Sequence, residues 1–379
     1  MAGQARHDGN NGILNQIEEN NTVLKALRQQ ADAEKVGNKT GILPENPEIE
    51  YHYLWGNQDG NRTDFSVSQQ FDFPMAYYHR KKVSDAQNRQ IDLQYEIERN
   101  NILLETKRLL INLTYQNALF ELISERKTAA EQLFRAYEQK YTNGDINVLE
   151  YNRAKISYLN TQKEYALCES EKIFSANELI RLNGGLPIEY SNAKFDRIDL
   201  PTDFQSLYIE LKTNNLELRY RQQNTQLSRR SEQLQRSMNL PKIALGYMSE
   251  KAPLEHFQGV TVGLSVPLWG SKNTLKQQKA QTQAHQAAEI DAETRYFNET
   301  NALYQKAQSF LQLIKNQDIT RKEILENIQL LQKALQAGQI SLIEYLLESE
   351  INYELNRSLL ETEREVQLAV AELMQWEIW

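Results

Sequence analysis

Apolar residues in this chain follow two rhythms that alternate in blocks. Over long tracts they recur every three or four residues. Leu110, Leu113, Phe120, Ile123, Ala130, Phe134, Tyr137 and Tyr141 form one stripe. Ala307, Leu311, Ile314, Leu325, Ile328 and Leu335 form a second, and Ile340, Ile343, Leu347, Ile351, Leu355, Val366 and Leu373 a third. This spacing predicts amphipathic helices packed as antiparallel coiled coils. Elsewhere apolar and polar residues alternate. Ile49, Tyr51, Tyr53 and Trp55 oppose Glu48, Glu50 and His52, and Phe65, Val67, Phe71 and Phe73 oppose Ser66, Ser68, Gln70 and Asp72. Val260, Val262, Leu264, Val266 and Leu268 oppose Thr261, Gly263 and Ser265. A period of two predicts strands with one apolar face.

The helix breakers punctuate these blocks. All 8 prolines lie outside two tracts, about 75–183 and 271–379, and each tract holds a single glycine, Gly144 or Gly338. Proline costs about 3 kcal/mol and glycine about 1 kcal/mol inside a helix, so each tract reads as helix with one interruption. The predicted order is a first helix (about 11–36), a hairpin (47–56 with 63–73), a long helix (75–142), a glycine turn and a medium helix (145–183). It then recurs as 203–238, 241–249 with 258–268, 271–337 and 340–376. This pattern excludes an all-β sandwich, a βαβ nucleotide fold and a disordered tail.

The recurrence extends to residues, at an offset of about 194. Asn20-Asn21-Thr22-Val23-Leu24 matches Asn214-Asn215-Leu216-Glu217-Leu218, and Pro47-Glu48-Ile49 matches Pro241-Lys242-Ile243. The strongest match sets Gly144-Asp145-Ile146-Asn147-Val148-Leu149-Glu150-Tyr151 on Gly338-Gln339-Ile340-Ser341-Leu342-Ile343-Glu344-Tyr345. Two structural repeats, 1–194 and 195–379, are expected, joined by a linker at about 182–203. At 1.5 Å per residue the long helices span roughly 100 Å. The expected product is a rod with hairpins at one end and glycine turns at the other. Strands of about 10 residues suit a tilted bilayer crossing. Trp55, Tyr77, Tyr78 and Trp269 near their ends suit an interfacial girdle. Four strands cannot close a barrel, so an obligate oligomer is expected.

Composition narrows this picture. A net charge of −8 argues against nucleic acid as a partner. Cys168 is the lone cysteine and reads as a small core residue. No run of 18 apolar residues marks a transmembrane helix. No signal peptide is legible in the polar Met1–Gly12, and an exported protein is expected to have lost one. The histidines (His7, His52, His79, His256, His285) form no i,i+4 pair, so neither a metal site nor a cofactor is expected. No catalytic grouping or phosphate loop appears, and an enzyme is not expected.

The tandem repeat, the hairpin-then-helix order and the Gly-x-Ile-x-x-x-Glu-Tyr turns resemble the TolC-like outer-membrane factors over about residues 13–376. The segments Leu43–Ile49, Phe65–Gln70 and Val260–Leu268 look most like the CzcC/CusC heavy-metal efflux branch. The resemblance implies a mainly α fold with a small β part. Three copies would join into a 12-stranded β-barrel in the outer membrane of a Gram-negative bacterium and a helical tunnel through the periplasm. It implies a homotrimer that contacts outer-membrane lipid, a periplasmic adaptor and an inner-membrane pump of the RND type. The chain itself would be a passive conduit for heavy-metal cations. Drug efflux and type I secretion use the same fold. A periplasmic adaptor or a coiled-coil scaffold are the alternatives, although an adaptor would carry one helical hairpin where this chain has two.

The resemblance places adaptor docking at the tip, on Gly144, Asp145, Ile146, Gly338, Gln339 and Ile340. Glycine at a tight helical turn explains the glycines equally well. It places Glu150 and Glu344 near the closed constriction, with Glu344 in a cation-favouring acidic ring. Ser341-Leu342-Ile343-Glu344 also reads as a capping box, with Asn147-Val148-Leu149-Glu150 a close variant. The family's further acid one turn on falls on Leu347, with Glu348 adjacent, so a second ring is not expected.

Overall fold

The computed structural model describes residues 12–56, 60–269, 272–315 and 317–377, with backbone alone at 318; His7 lies outside these residues. Residues 12–20 are helical (α1). They are followed by α2 (Thr22–Gly37), β1 (Glu48–Leu54), β2 (Arg62–Phe71), α3 (Pro74–Thr142) and α4 (Val148–Leu182). The order continues with α5 (Phe204–Asn214), α6 (Leu216–Met238), β3 (Lys242–Lys251), β4 (His256–Ser265), α7 (Thr274–Ile314), α8 (Gln317–Gln336) and α9 (Leu342–Leu373), and a 3₁₀ turn at Gln375–Glu377.

Three expected helices prove to be divided. The first helix of each half breaks at Asn21 and at Asn215, equivalent positions 194 residues apart. Each asparagine is buried and caps the helix after it. Asn21 Oδ1 accepts from the Leu24 amide at 3.0 Å, and Asn215 Oδ1 accepts from Leu218 at 2.8 Å. A short amide side chain that satisfies an orphan N–H favours a cap over a continuous helix. The neighbouring contacts repeat as well. Asn20 Nδ2 donates to Asn183 Oδ1 at 3.0 Å, and 194 residues on the Asn214 side chain hydrogen-bonds the Glu377 side chain. The expected long helix 271–337 ends at Ile314 and restarts at Gln317, whereas its counterpart α3 is unbroken over 69 residues. At the restart Gln317 Nε2 donates to the Leu359 carbonyl at 3.1 Å.

The chain forms two compact units, each drawing segments from both sequence halves. The first comprises Met1–Lys25, Glu98–Asn214 and Phe297–Trp379. Its core is a series of small clusters: Ile17, Leu110, Leu113, Leu179 and Leu182 in one, and Tyr115, Leu119, Cys168 and Leu360 in another. Cys168 is buried, as expected of a small core residue.

The second unit comprises Ala26–Ile97 and Asn215–Tyr296. Its helices pack through small and polar groups. Ser228 Oγ lies 2.9 Å from Thr282 Oγ1, Gln223 Nε2 donates to the Ala86 carbonyl at 2.8 Å, and Ala76 is fully buried. The same unit holds one antiparallel sheet in the order β1-β2-β3-β4. Its two hairpins come from opposite halves of the chain and join where β2 pairs with β3, Val67 opposite Tyr247. The exit of β2 is pinned by charge. Half-buried Asp72 accepts from Arg80 in the first turns of α3 and pairs with Lys242 Nζ at 3.2 Å, and its amide donates to the Tyr77 hydroxyl at 2.9 Å. Burial pushes the Asp72 carboxyl up, but the two cations outweigh it and hold it below its ordinary value.

Two outcomes follow from these contacts. Asn21→Ala and Asn215→Ala each remove a buried cap and are expected to cost about 1 kcal/mol; equal melting temperatures for variant and parent would remove the capping account. The depressed Asp72 contributes stability that is complete above the unfolded carboxylate value, about pH 4, and is lost as pH falls through the lower folded value. Asp72→Asn is therefore expected to lower stability at neutral pH and to flatten the acid limb of a melting-temperature profile.

Candidate functional site at the helical turns

The two glycine turns are built alike. Gly144 sits at φ +81° and Gly338 at φ +69°, where a β-carbon is disfavoured. The Gly144 amide donates to the Tyr141 carbonyl at 3.0 Å and the Asp145 amide to Lys140 at 2.8 Å. The Gly338 amide donates to Leu335 at 3.1 Å and the Gln339 amide to Ala334 at 2.9 Å. Both are Schellman endings, in which left-handed glycine lets two amides turn back onto the last carbonyls.

The restarting helices are capped at equivalent residues. Asn147 Oδ1 accepts from the amides of Leu149 and Glu150 at 2.9 and 3.0 Å. Ser341 closes a full capping box: Glu344 Oε2 accepts from the Ser341 amide at 2.7 Å, and Ser341 Oγ accepts from the Glu344 amide at 3.3 Å.

The two candidate acids occupy different environments. Glu344 is exposed, and the hydrogen bonds from Ser341, backbone first, hold its carboxyl below the ordinary range. Glu150 is half-buried, and its charge joins burial in pushing the Tyr137 hydroxyl up. Among the described residues no hydrogen bond joins Glu150 to Glu344. Gly144, Asp145, Gly338 and Gln339 are exposed, while Ile146 and Ile340 are half-buried. Ile146 packs on Tyr137, Ala154 and Leu342, with Leu346 alongside. The residues after the second turn thus share a core with the first hairpin. Aromatic rings zip α3 to α4 above the first turn: Tyr141 stacks on Tyr151 at 4.9 Å and Phe134 on Tyr158 at 5.5 Å.

Farther from the turns lies an ionic bridge that the repeat does not reveal. Arg126 on α3 bonds Glu164 on α4 at 3.1 Å, bonds Glu350 on α9, and lies over the Tyr353 ring at 4.9 Å. Burial, first, and surrounding charges push the Tyr353 hydroxyl up to about 12. These residues line a groove of about 520 Å³ together with Leu133, Arg153 and Tyr345. Position 126 aligns with Thr320 and position 350 with Ile156 at the 194-residue offset, so no matched pattern marks the bridge. Among the described residues no group of three His, Cys, Asp or Glu is placed to hold a metal, and no helix is long and apolar enough to cross a membrane.

No protein-family model and no curated protein matches the chain. Solved structures do. The CmeC outer membrane channel of Campylobacter jejuni aligns with a TM-score of 0.79 at 12% identity, over 97% of this chain and 85% of that one. The outer-membrane channel OprN aligns at 0.80 and 13% identity, over 97% and 89%. CusC, solved in a study of its folding and transmembrane channel formation, aligns at 0.77 and 15% identity, over 97% and 91%. The paired Schellman turns, the long helices and the four-stranded sheet of this chain therefore form the TolC-like fold of the outer-membrane channels, mainly α with a small antiparallel β part.

Proposed function

We propose that this chain is one subunit of a trimeric outer-membrane channel, the passive exit conduit of a tripartite efflux assembly. The observation that carries this reading is the sheet. Register places Ile49 and Tyr51 against Val67 and Phe65, and Tyr247 and Leu245 against Val260 and Val262, so apolar side chains line one face across all four strands. That face is bare: Ile49 is 68% exposed, Val262 73% and Val260 80%. Strands β2, β3 and β4 are each 10 residues long, the length of a tilted bilayer crossing. Water is a poor solvent for such a face, and the open edges on β1 and β4 call for partner strands. Three copies supply twelve strands and close both edges. The fold shared with CmeC, OprN and CusC supports the same assembly.

In this reading the repeats 1–194 and 195–379 give each subunit two hairpins and two turns, and the subunit is not an enzyme. The exposed turn residues Gly144, Asp145, Gly338 and Gln339 offer the docking surface for a periplasmic adaptor, with an inner-membrane pump of the RND type supplying energy. The exposed, readily ionised Glu344 favours cations, in keeping with a heavy-metal cargo.

With an export signal supplied, the chain is expected in the outer membrane as a detergent-stable trimer that conducts cations in planar bilayers; a soluble monomer sinks the proposal. Glu344→Gln keeps an oxygen for Ser341 and removes the charge. It is expected to reduce cation selectivity while shifting stability by less than about 1 kcal/mol; unchanged selectivity leaves Glu344 only its capping role. Asp145→Lys with Gln339→Lys is expected to lower cross-linking to the co-purifying adaptor, and undiminished cross-linking moves the dock elsewhere.

A further inference from the structure

Charge is distributed unevenly around the sheet. The chain carries 43 lysines and arginines against 51 acids. The segments that join helices to strands on one side of the sheet reverse that balance. Across 35–48, 72–82, 229–242 and 266–279, twelve cations face four acids. At the opposite ends of the strands, Arg62 and Lys251 face Asp64, Glu250 and Glu255, and Arg62 is already paired with Asp64 and Glu250.

Several of the twelve cations have protein partners. Arg80 and Lys242 hold Asp72, Arg236 pairs with Glu232 at 2.6 Å, and Lys35 pairs with Asp92. Lys39, Lys81, Arg229, Lys272, Lys276 and Lys279 are exposed and have no carboxylate partner among the described residues. They flank exposed aromatic rings: Tyr78 is 53% and Trp269 80% exposed, and Lys82 lies over the Tyr78 ring at 5.5 Å. Amphipathic rings and long-stemmed cations side by side are the composition that settles at a headgroup layer. What sets these junctions apart is their shortage of acids: they hold twelve cations to four carboxylates in a chain whose acids outnumber its cations.

We infer that these six exposed cations form a basic collar that binds the phosphate headgroups of anionic phospholipids in the leaflet on the helix side of the sheet. The inference rests on the channel reading, in which the sheet spans the bilayer. At low ionic strength, where the Debye length is about 30 Å, the ammonium and guanidinium groups act on the leaflet surface, while their aliphatic stems cover the apolar rim. The collar orients the subunit by charge, and the bare face supplies the insertion energy.

The test uses the full chain reconstituted in vesicles of phosphatidylcholine, or of phosphatidylcholine with phosphatidylglycerol. Lipid selectivity is read as tryptophan quenching by brominated forms of each lipid. The parent protein is expected to select phosphatidylglycerol over phosphatidylcholine by about 5-fold or more at low salt, with the preference fading at high salt. Replacing Lys81, Lys272, Lys276 and Lys279 together by Gln is expected to abolish most of that preference and to leave flotation with phosphatidylcholine vesicles intact. Equal quenching by the two lipids in the parent, or an unchanged preference in the variant, overturns the collar while flotation upholds the channel reading. A parent chain that floats with neither vesicle type removes the channel reading, and the collar with it.

Discussion

An apolar sheet face without a cover is the constraint on which the rest of this structure depends. Val260, Val262, Leu264, Ile49 and Tyr51 are each more than half exposed, and burying such side chains is worth about 1.5–3 kcal/mol apiece. No described element of the second unit lies over them. Twisting the hairpins cannot remove the demand, because β1 and β4 also leave a full row of backbone groups unpaired. Hydrocarbon on the outside and neighbouring strands at the edges meet both demands together. In the proposed assembly, a bilayer and further copies of the chain would meet both.

The helical part solves a different problem. Its helices are too polar to bury a broad core, and their clusters are small. Order comes from local termination: glycine endings at Gly144 and Gly338, asparagine caps at Asn21, Asn147 and Asn215, and the box at Ser341 and Glu344. Each satisfies backbone groups that helix ends leave without an intrahelical partner. Between these ends, aromatic stacks and the Arg126 bridge hold neighbouring helices in register. The exposed turn residues thus have their backbone bonds satisfied internally.

Local periodicity in the sequence set the kind of each element and most of its boundaries. The strand faces, the buried Cys168, the turns at Gly144 and Gly338 and the capping box were legible because each depends on residues within a few positions of one another. The divided helices were less so. Asn21 and Asn215 matched in the repeat, but an asparagine inside an apolar stripe reads as a surface residue until its cap is seen. Beside the break before α8, Gln317 bonds the distant Leu359 carbonyl, a contact that no local pattern announces.

By itself, then, the sequence determined a duplicated series of helices and strands, their stop signals and an apolar face with no obvious cover. Only the tertiary structure decided which distant side chains meet: Arg126 with Glu164 and Glu350, Asp72 with Arg80 and Lys242, Ile146 with Leu342, and strand β2 with β3. It also decided that Glu344 stands in solvent while Glu150 is half-buried. The physical reason is that caps and periodic faces are short-range and leave a mark at fixed spacing. Ion pairs and strand neighbours are chosen by geometry in space, where any of the 51 acids and 43 cations is a candidate until the chain is folded.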